Sequence, residues 1–90
     1  MKEERRKLAA ALRYTRGEDL APRLIAKGNG AIAEKIMEIA RAEGIPIRED
    51  KALVEVLSSL DLYQEIPPEL YKAVAEILAF IYALNNKAMK

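Results

Sequence analysis

Carboxylates are the main side chains in this 90-residue sequence that could move protons or hold a metal ion, because histidine and cysteine are both absent. The chain therefore lacks the usual general base, thiolate nucleophile and soft-metal ligands. Glu34 and Glu38 would share one helix face, where paired carboxylates can hold a cation. Neighbouring Lys35 and Arg41 favour a simpler interpretation, a solvated face with ion pairs. The sequence therefore predicts no metal site and no cofactor.

Two further groups contain residue types that are used in catalysis or ligand binding. Ser58 and Ser59 stand in a helical stretch without a base to activate them. Gly28-Asn29-Gly30 precedes a helix, where backbone N–H groups attract anions, but it lacks the Lys-Ser/Thr of a phosphate-binding loop. We interpret it as a turn in which Asn29 caps the following helix. We expect a protein that is not an enzyme and has no small-molecule substrate.

Cations are concentrated in the first third of the chain. Residues 1–27 carry eight Lys/Arg against four Asp/Glu, and residues 28–90 carry seven against ten, within a net charge of +1. Such asymmetry can steer a protein partner. The near-neutral total is unlike the strongly basic composition of a dedicated nucleic-acid binder, so a small nucleic-acid-binding domain is the alternative function. The residues assigned to partner binding are Arg5, Arg6, Lys7, Arg13, Arg16, Arg23, Lys27 and Asn29.

The elements that position these residues begin with two strands. Lys2–Lys7 is rich in helix formers, and propensity alone would continue this helix through Leu12, because alanine is a poor strand former. The alternative is a helical or frayed Lys2–Lys7 that runs into a strand near Ala9–Thr15, and the residues alone leave helix or strand open there. Gly17 with its acidic neighbours marks a turn. Arg23–Lys27 gives a second short strand, of which Pro22 allows only the start or an edge.

Helical spacing of apolar residues predicts three helices after these strands. Gly44 ends the first helix, Asp50 caps the second, and Pro67-Pro68 begins the third. Between the first two, Ile45–Glu49 alternates with period two and predicts an edge strand that follows a right-handed parallel crossover. The predicted buried faces are Ile32, Ile36, Ile39 and Ala40 in the first helix; Leu53, Val56, Leu57 and Leu60 in the second; and Leu70, Val74, Ile77, Leu78 and Ile81 in the third.

These elements predict an α/β fold, a small sheet of three or four strands covered by about three helices in one domain. The domain spans residues 9–84, between a charged segment at residues 1–8 and a frayed tail at residues 85–90. No run approaches the roughly 18 to 20 apolar residues of a membrane span, so we expect no membrane-spanning helix. We also expect the protein to be cytoplasmic and monomeric. Phe80 and Tyr82 cannot both face the core, which leaves at least one as an aromatic anchor for a partner.

Two segments carry a resemblance to a known family, YQEIPPELYKAVAEILAFIY at residues 63–82 and APRLIAKGNG at residues 21–30. The first is similar to the last helix of the cytoplasmic domain of the FlhB/YscU family, the export-switch proteins of flagellar and type III secretion. The second resembles that family's strand-to-helix junction. The likeness covers about Ala9–Leu84, with the two segments in the family's order.

The resemblance implies a role in protein export without self-processing. Family members cut themselves between Asn and Pro in an Asn-Pro-Thr-His loop just before the strand that Ala9–Tyr14 matches, and the cut accompanies a change in accepted substrates. The corresponding residues here are Glu4-Arg5-Arg6-Lys7, so the chain resembles the cleaved C-terminal fragment and should not cleave. Its expected partners are export-apparatus proteins or export substrates, at a site peripheral to the membrane export gate. An exposed edge of the first strand could accept a partner's strand.

Overall fold

The computed structural model describes the backbone of residues 7–88 and the side chains of residues 7–81. The expected helical or frayed start at residues 2–6 and the last residues of the expected frayed tail, 89 and 90, lie outside this part of the chain. The elements are β1 (Leu8–Arg13), β2 (Arg23–Asn29), α1 (Ala31–Ala42), α2 (Lys51–Ser58), a short 3-10 turn (Pro68–Leu70) and α3 (Tyr71–Ala88).

Strands β1 and β2 form an antiparallel pair with a register shift between Ala11 and Leu12. Strand β2 continues through Asn29, so the prediction that Gly28-Asn29-Gly30 ends the strand at Lys27 was wrong. Asn29 also does not cap α1, because it is still paired with Leu8 in the ladder. Gly30 takes the N-cap position instead, with φ at 60° and no side-chain cap bond.

The predicted third strand at Ile45–Glu49 is wrong for the structure described, in which the sheet has two strands in the order β1–β2. The parallel crossover expected to join it to β2 is therefore wrong as well. Pro46 contributes no N–H to a ladder. The N–H of Ile45 instead donates to the carbonyl of Ala40 at 2.8 Å, which turns the chain back over the end of α1.

The three predicted helix boundaries are confirmed by local geometry. Gly44 follows α1 with φ at 73°, a left-handed conformation that glycine adopts without strain. Asp50 Oδ1 accepts the N–H of Leu53 at 3.0 Å and so caps α2. Pro67 and Pro68 begin the 3-10 turn that leads into α3.

The helices cover opposite faces of the strand pair, because successive strand residues face opposite sides. Ala10 and Leu12 of β1 pack against a core cluster that contains Leu57 of α2 and Val74 of α3. On the other face α1 lies so close to β2 that a Cβ at Gly28 would collide with Ile32. The result is a three-layer arrangement, with α1 on one side and α2 with α3 on the other.

The predicted helix faces are partly wrong in phase. Leu53 and Leu57 are buried as expected, but Val56 is 46% exposed. In α1 the buried residue is Ala33, whereas Ile32 and Ile39 are 62% and 51% exposed. Ile32 still contacts the sheet with part of its side chain, since its Cβ and Cγ2 lie against Gly28.

The apolar side chains predicted to face the core from the third helix are only partly buried. Val74 is buried at 2% exposure, and Leu70, Ile77, Leu78 and Ile81 are half-buried. Phe80 is 44% exposed, which confirms that at least one of the two terminal aromatics lies outside the core. The guanidinium of Arg48 lies 5.4 Å from its ring centroid. The side chain of Tyr82 lies outside the described residues.

Candidate functional site

Four of the residues assigned to partner binding lie at the two ends of the strand pair. Lys7 and Asn29 are exposed at one end, next to the start of α1. Arg13 and Arg23 are cross-strand neighbours at the other end. The six residues of β1 separate these ends by about 20 Å, since a strand rises roughly 3.3 Å per residue. Arg5 and Arg6 lie outside the described residues.

An acidic side chain of the fold lies beside each of Lys7, Arg13 and Arg23. The ammonium of Lys7 lies 3.5 Å from Glu34. The Nε of Arg13 lies 3.9 Å from Asp19, whose carboxylate also accepts the N–H of Thr15 at 2.7 Å. Arg16 is exposed on the same turn. Internal pairing of this kind lowers the potential available to a phosphate backbone, which counts against the nucleic-acid alternative.

Arg23 holds the loop before α3 against β2. Its guanidinium donates to the carbonyl of Tyr63 at 3.0 Å and to the carboxylate of Glu65 at 3.1 Å. Tyr63 has φ at 67°, a left-handed conformation that is uncommon for a residue with a side chain. The contacts of Arg23 help to stabilise that conformation, so this residue has a structural role.

Lys27 is also occupied inside the fold. Its ammonium donates to the carbonyls of Ser58 at 3.2 Å and Leu60 at 2.6 Å. These groups lie at the C-terminal end of α2, where a positive charge is favourable and carbonyls lack helical partners. Lys27 therefore joins β2 to α2.

An apolar groove runs along the outer edge of β1, and we call it the β1 groove. It is lined by Leu8–Leu12, by Ile45–Asp50, and by apolar side chains of the helices, among them Met37, Leu53 and Ile81. Since successive strand residues face opposite sides of the sheet, a cavity that touches every residue of Leu8–Leu12 lies along the strand edge. Its volume is about 300 Å³.

A second concavity of about 360 Å³ lies between the loop after β1 and the start of α3. Leu20 and Tyr71 lie on its rim and are 93% and 47% exposed. It shares Tyr14, Pro22, Val74 and Leu78 with the β1 groove. The two concavities are therefore neighbours on the side of the sheet that α3 covers.

The structure shows where the acidic and serine side chains considered in the sequence lie. Within residues 7–81 no group of three or more acidic, histidine or cysteine side chains could hold a metal ion. The hydroxyls of Ser58 and Ser59 donate to the carbonyls of Val54 and Val56, at 2.8 and 2.7 Å. In the part of the chain that the structure describes, no helix is both long and apolar enough to cross a bilayer.

The sequence indicated the basic residues and an exposed edge of the first strand, but not the apolar groove that lies along this edge. The available signal was an excess of apolar residues. Ile45 and Ile47 alternate as in a strand, and α1 and α3 are apolar on more than one side. A sheet of two strands cannot bury all of these side chains.

Known proteins resemble this chain over most of its length. A model of the "FlhB HrpN YscU SpaS Family" matches residues 6–81. The uncharacterized protein YlqH of Bacillus subtilis (strain 168) is 46% identical over 78 residues, 87% of this chain and 84% of YlqH. The flagellar biosynthetic protein FlhB of Aquifex aeolicus (strain VF5) is 44% identical over 81 residues, 89% of this chain and 23% of FlhB.

Solved structures of C-terminal domains also resemble this chain. The PscU C-terminal domain matches with a TM-score of 0.78 and 35% identity, covering 82% of this chain and 95% of that one. A mutated EscU C-terminal domain matches with a TM-score of 0.80 and 29% identity, covering 83% and 92%. The chain therefore corresponds to a C-terminal domain, and it spans less than a quarter of the FlhB relatives that it matches.

Proposed function

The chain belongs to the FlhB HrpN YscU SpaS family, and from that membership we propose that it is a non-enzymatic interaction module of the flagellar or type III protein-export apparatus. The observation that carries the proposal is the correspondence of the chain with one domain, since nearly the whole PscU C-terminal domain is covered. A fold does not determine a function. The sequence identity to flagellar FlhB proteins adds the functional link.

The proposed role is that of a counterpart to the cleaved C-terminal fragment of the export switch. The chain would substitute for that fragment in recognising export substrates or in changing which substrates are accepted. Self-cleavage is not part of the role, because Asn29, Asn85 and Asn86 are the only asparagines and none precedes a proline. Its partners are export-apparatus proteins or export substrates, and it acts as a cytoplasmic monomer that is peripheral to the export gate.

The test is direct binding by the purified chain. The immobilised protein is offered the purified cytoplasmic domains of export-gate proteins in one arm and mixed-sequence duplex DNA in the other. Beads that carry an unrelated protein of similar size and charge are the control. We expect retention of an export-gate domain and no salt-sensitive retention of DNA. Retention of DNA alone would overturn the export role and favour the nucleic-acid alternative.

A further inference from the structure

We propose that Asn29 is a site of self-modification, at which the backbone nitrogen of Gly30 attacks the side-chain amide and converts the residue to aspartate or isoaspartate. The rate of this reaction is set by how often the end of the β1–β2 ladder opens. The inference does not depend on the export role. It follows from the sequence at the end of β2, from the hydrogen bonds there and from the chemistry of the amide.

Asn29 is the one asparagine in the sequence that precedes a glycine. The reaction closes a five-membered ring within the chain, and an intramolecular attack of this kind is fast when the two reacting atoms can approach each other. Gly30 has no Cβ that would obstruct the approach. Asn85 and Asn86 precede residues with side chains, Asn86 and Lys87, so they should react more slowly.

The reaction needs only water in addition to the chain. The nitrogen of Gly30 forms a bond to Cγ of Asn29, its proton passes to the side-chain nitrogen, and that nitrogen leaves as ammonia. Water then opens the resulting succinimide ring. If the bond from the Gly30 nitrogen to Cγ breaks, the product is aspartate in a normal chain. If the bond from that nitrogen to the backbone carbonyl carbon breaks, the product is isoaspartate, and the chain continues through Cγ.

The fold restrains this reaction in two ways. The N–H of Gly30 donates to the carbonyl of Lys7 at 2.9 Å, so the attacking nitrogen is already engaged. Asn29 is paired with Leu8 in the antiparallel ladder, and an extended residue with ψ of about +135° directs the next backbone nitrogen away from its own side chain. Ring closure therefore requires the ladder to open at this position.

The restraint lies at the end of the described ladder, where opening costs least. Lys7 and Asn29 are both exposed. The first hydrogen bond of α1 runs from the N–H of Glu34 to the carbonyl of Gly30 at 3.1 Å, so it engages the carbonyl of Gly30 and not the nitrogen. The ends of elements open at a much smaller free energy than the whole domain. The reaction can therefore proceed while the core and α1 stay folded.

Either product changes the surface at this end of the sheet. The new carboxylate adds a negative charge at the end that holds Lys7 and Glu34, whose charged groups lie 3.5 Å apart. It lowers the net charge of the chain from +1 to 0. Isoaspartate also adds a carbon atom to the backbone before Gly30, which shifts the N–H that bonds to Lys7. The start of β1 would then lose this bond to the end of β2.

The experiment incubates the full chain at mildly basic pH, where a backbone amide loses its proton more readily, and follows Asn29 by peptide mapping with mass spectrometry. The reference is a capped peptide with the sequence of residues 27–31, Lys-Gly-Asn-Gly-Ala. We expect the folded chain to react between about tenfold and about a thousandfold more slowly than the peptide, a range that corresponds to local opening and not to global unfolding. Asn29→Gln, which would have to close a larger ring, should give no product at this position.

A variant that loosens the ladder beside Asn29 tests the restraint. Leu8 is half-buried at the start of β1, and alanine is a poorer strand former, so Leu8→Ala should react at least about threefold faster than the parent. Leu20→Ala is the matched control, because Leu20 is 93% exposed in the loop after β1, and it should react at the parent's rate. The hydrogen exchange of the Gly30 amide, measured by ¹⁵N NMR, should become faster in Leu8→Ala and stay unchanged in Leu20→Ala.

Three outcomes would overturn the inference. Reaction of the folded chain at the peptide's rate would mean that the ladder does not restrain Asn29. The absence of product in both the parent and Leu8→Ala, after the peptide has reacted completely, would mean that the folded chain does not react at this site. A rate that rises steeply with urea below the unfolding midpoint would assign the reaction to the globally unfolded chain, because local opening exposes little surface and predicts a flat response.

The urea series uses the parent chain, so it decides the question even if Leu8→Ala fails to fold. None of these measurements uses an export protein, so failure of the self-modification and failure of the export role are distinguishable.

Discussion

A methyl group added at Gly28 tests how closely α1 packs against β2. A Cβ there would fall 2.9 Å from the Cβ of Ile32 and closer still to its Cγ2, whereas the backbone nitrogen of Ala33 lies at an ordinary 3.5 Å. The alanine has no conformational strain, because the φ of Gly28 is not positive. The collision between β2 and α1 is the only obstacle to the substitution.

Gly28→Ala should destabilise the protein by about 1 to 3 kcal/mol, the usual cost of overpacking a close contact. Without the collision the same change would stabilise a strand by roughly 0.5 to 1 kcal/mol, because glycine loses more backbone entropy on folding. The expected sign is thus opposite to that of strand propensity. The total stability of such a domain is roughly 5 to 15 kcal/mol, so the loss is measurable by urea titration followed by circular dichroism.

A double-mutant cycle with Ile32→Ala locates the cause. Ile32 is 62% exposed, so its truncation alone should cost little. In the double variant the Cγ2 contact is gone and the Cβ contact remains, so we expect partial rescue, with a coupling energy of about 1 kcal/mol. A neutral or stabilising Gly28→Ala, or a cycle without coupling, would refute the close approach of α1 to β2.

Three further predictions concern the N-terminal residues and the sheet. The chain should show no cleavage fragment by intact mass after prolonged incubation at neutral to mildly basic pH, since it has no Asn-Pro bond; a fragment that begins within residues 5–8 would contradict this. Lys27→Met should lower the free energy of unfolding, measured by urea titration, by about 1 to 2 kcal/mol, because the end of α2 loses a charged donor to two carbonyls. An unchanged urea midpoint would show that Lys27 does not stabilise the fold. Charge reversal at Arg5, Arg6 and Arg16 should slow association with an export-gate domain, with the difference shrinking as salt rises; an effect confined to dissociation, measured by surface plasmon resonance, would rule out steering.

The α/β class, the order of the two strands and three helices, the end of α1 and the starts of α2 and α3 could be predicted from the sequence. Asp50, Gly44 and Pro68 act through capping and backbone preferences that involve residues within about one helical turn. Such local signals need no knowledge of the rest of the molecule. The same holds for the absence of cleavage chemistry, which follows from residue types alone.

The strand count, the phase of α1 and the location of the β1 groove were decided by tertiary contacts. Ile45–Glu49 has the pattern of a strand, but a pattern cannot show whether an edge lies within hydrogen-bonding distance. Helix α1 is apolar on several sides, so its periodicity alone did not select Ala33 over Ile32 for burial. The packing of α1 against the sheet did.

The fate of the basic residues depended on contacts between distant parts of the chain. Arg23 meets Glu65 and Lys27 meets Leu60 across 42 and 33 positions of sequence. A count of charges cannot reveal such pairings, because they exist only after the loop and α2 have packed against β2. Composition therefore indicated a basic surface, and the fold turned two of its members into structural contacts while leaving an apolar groove beside β1.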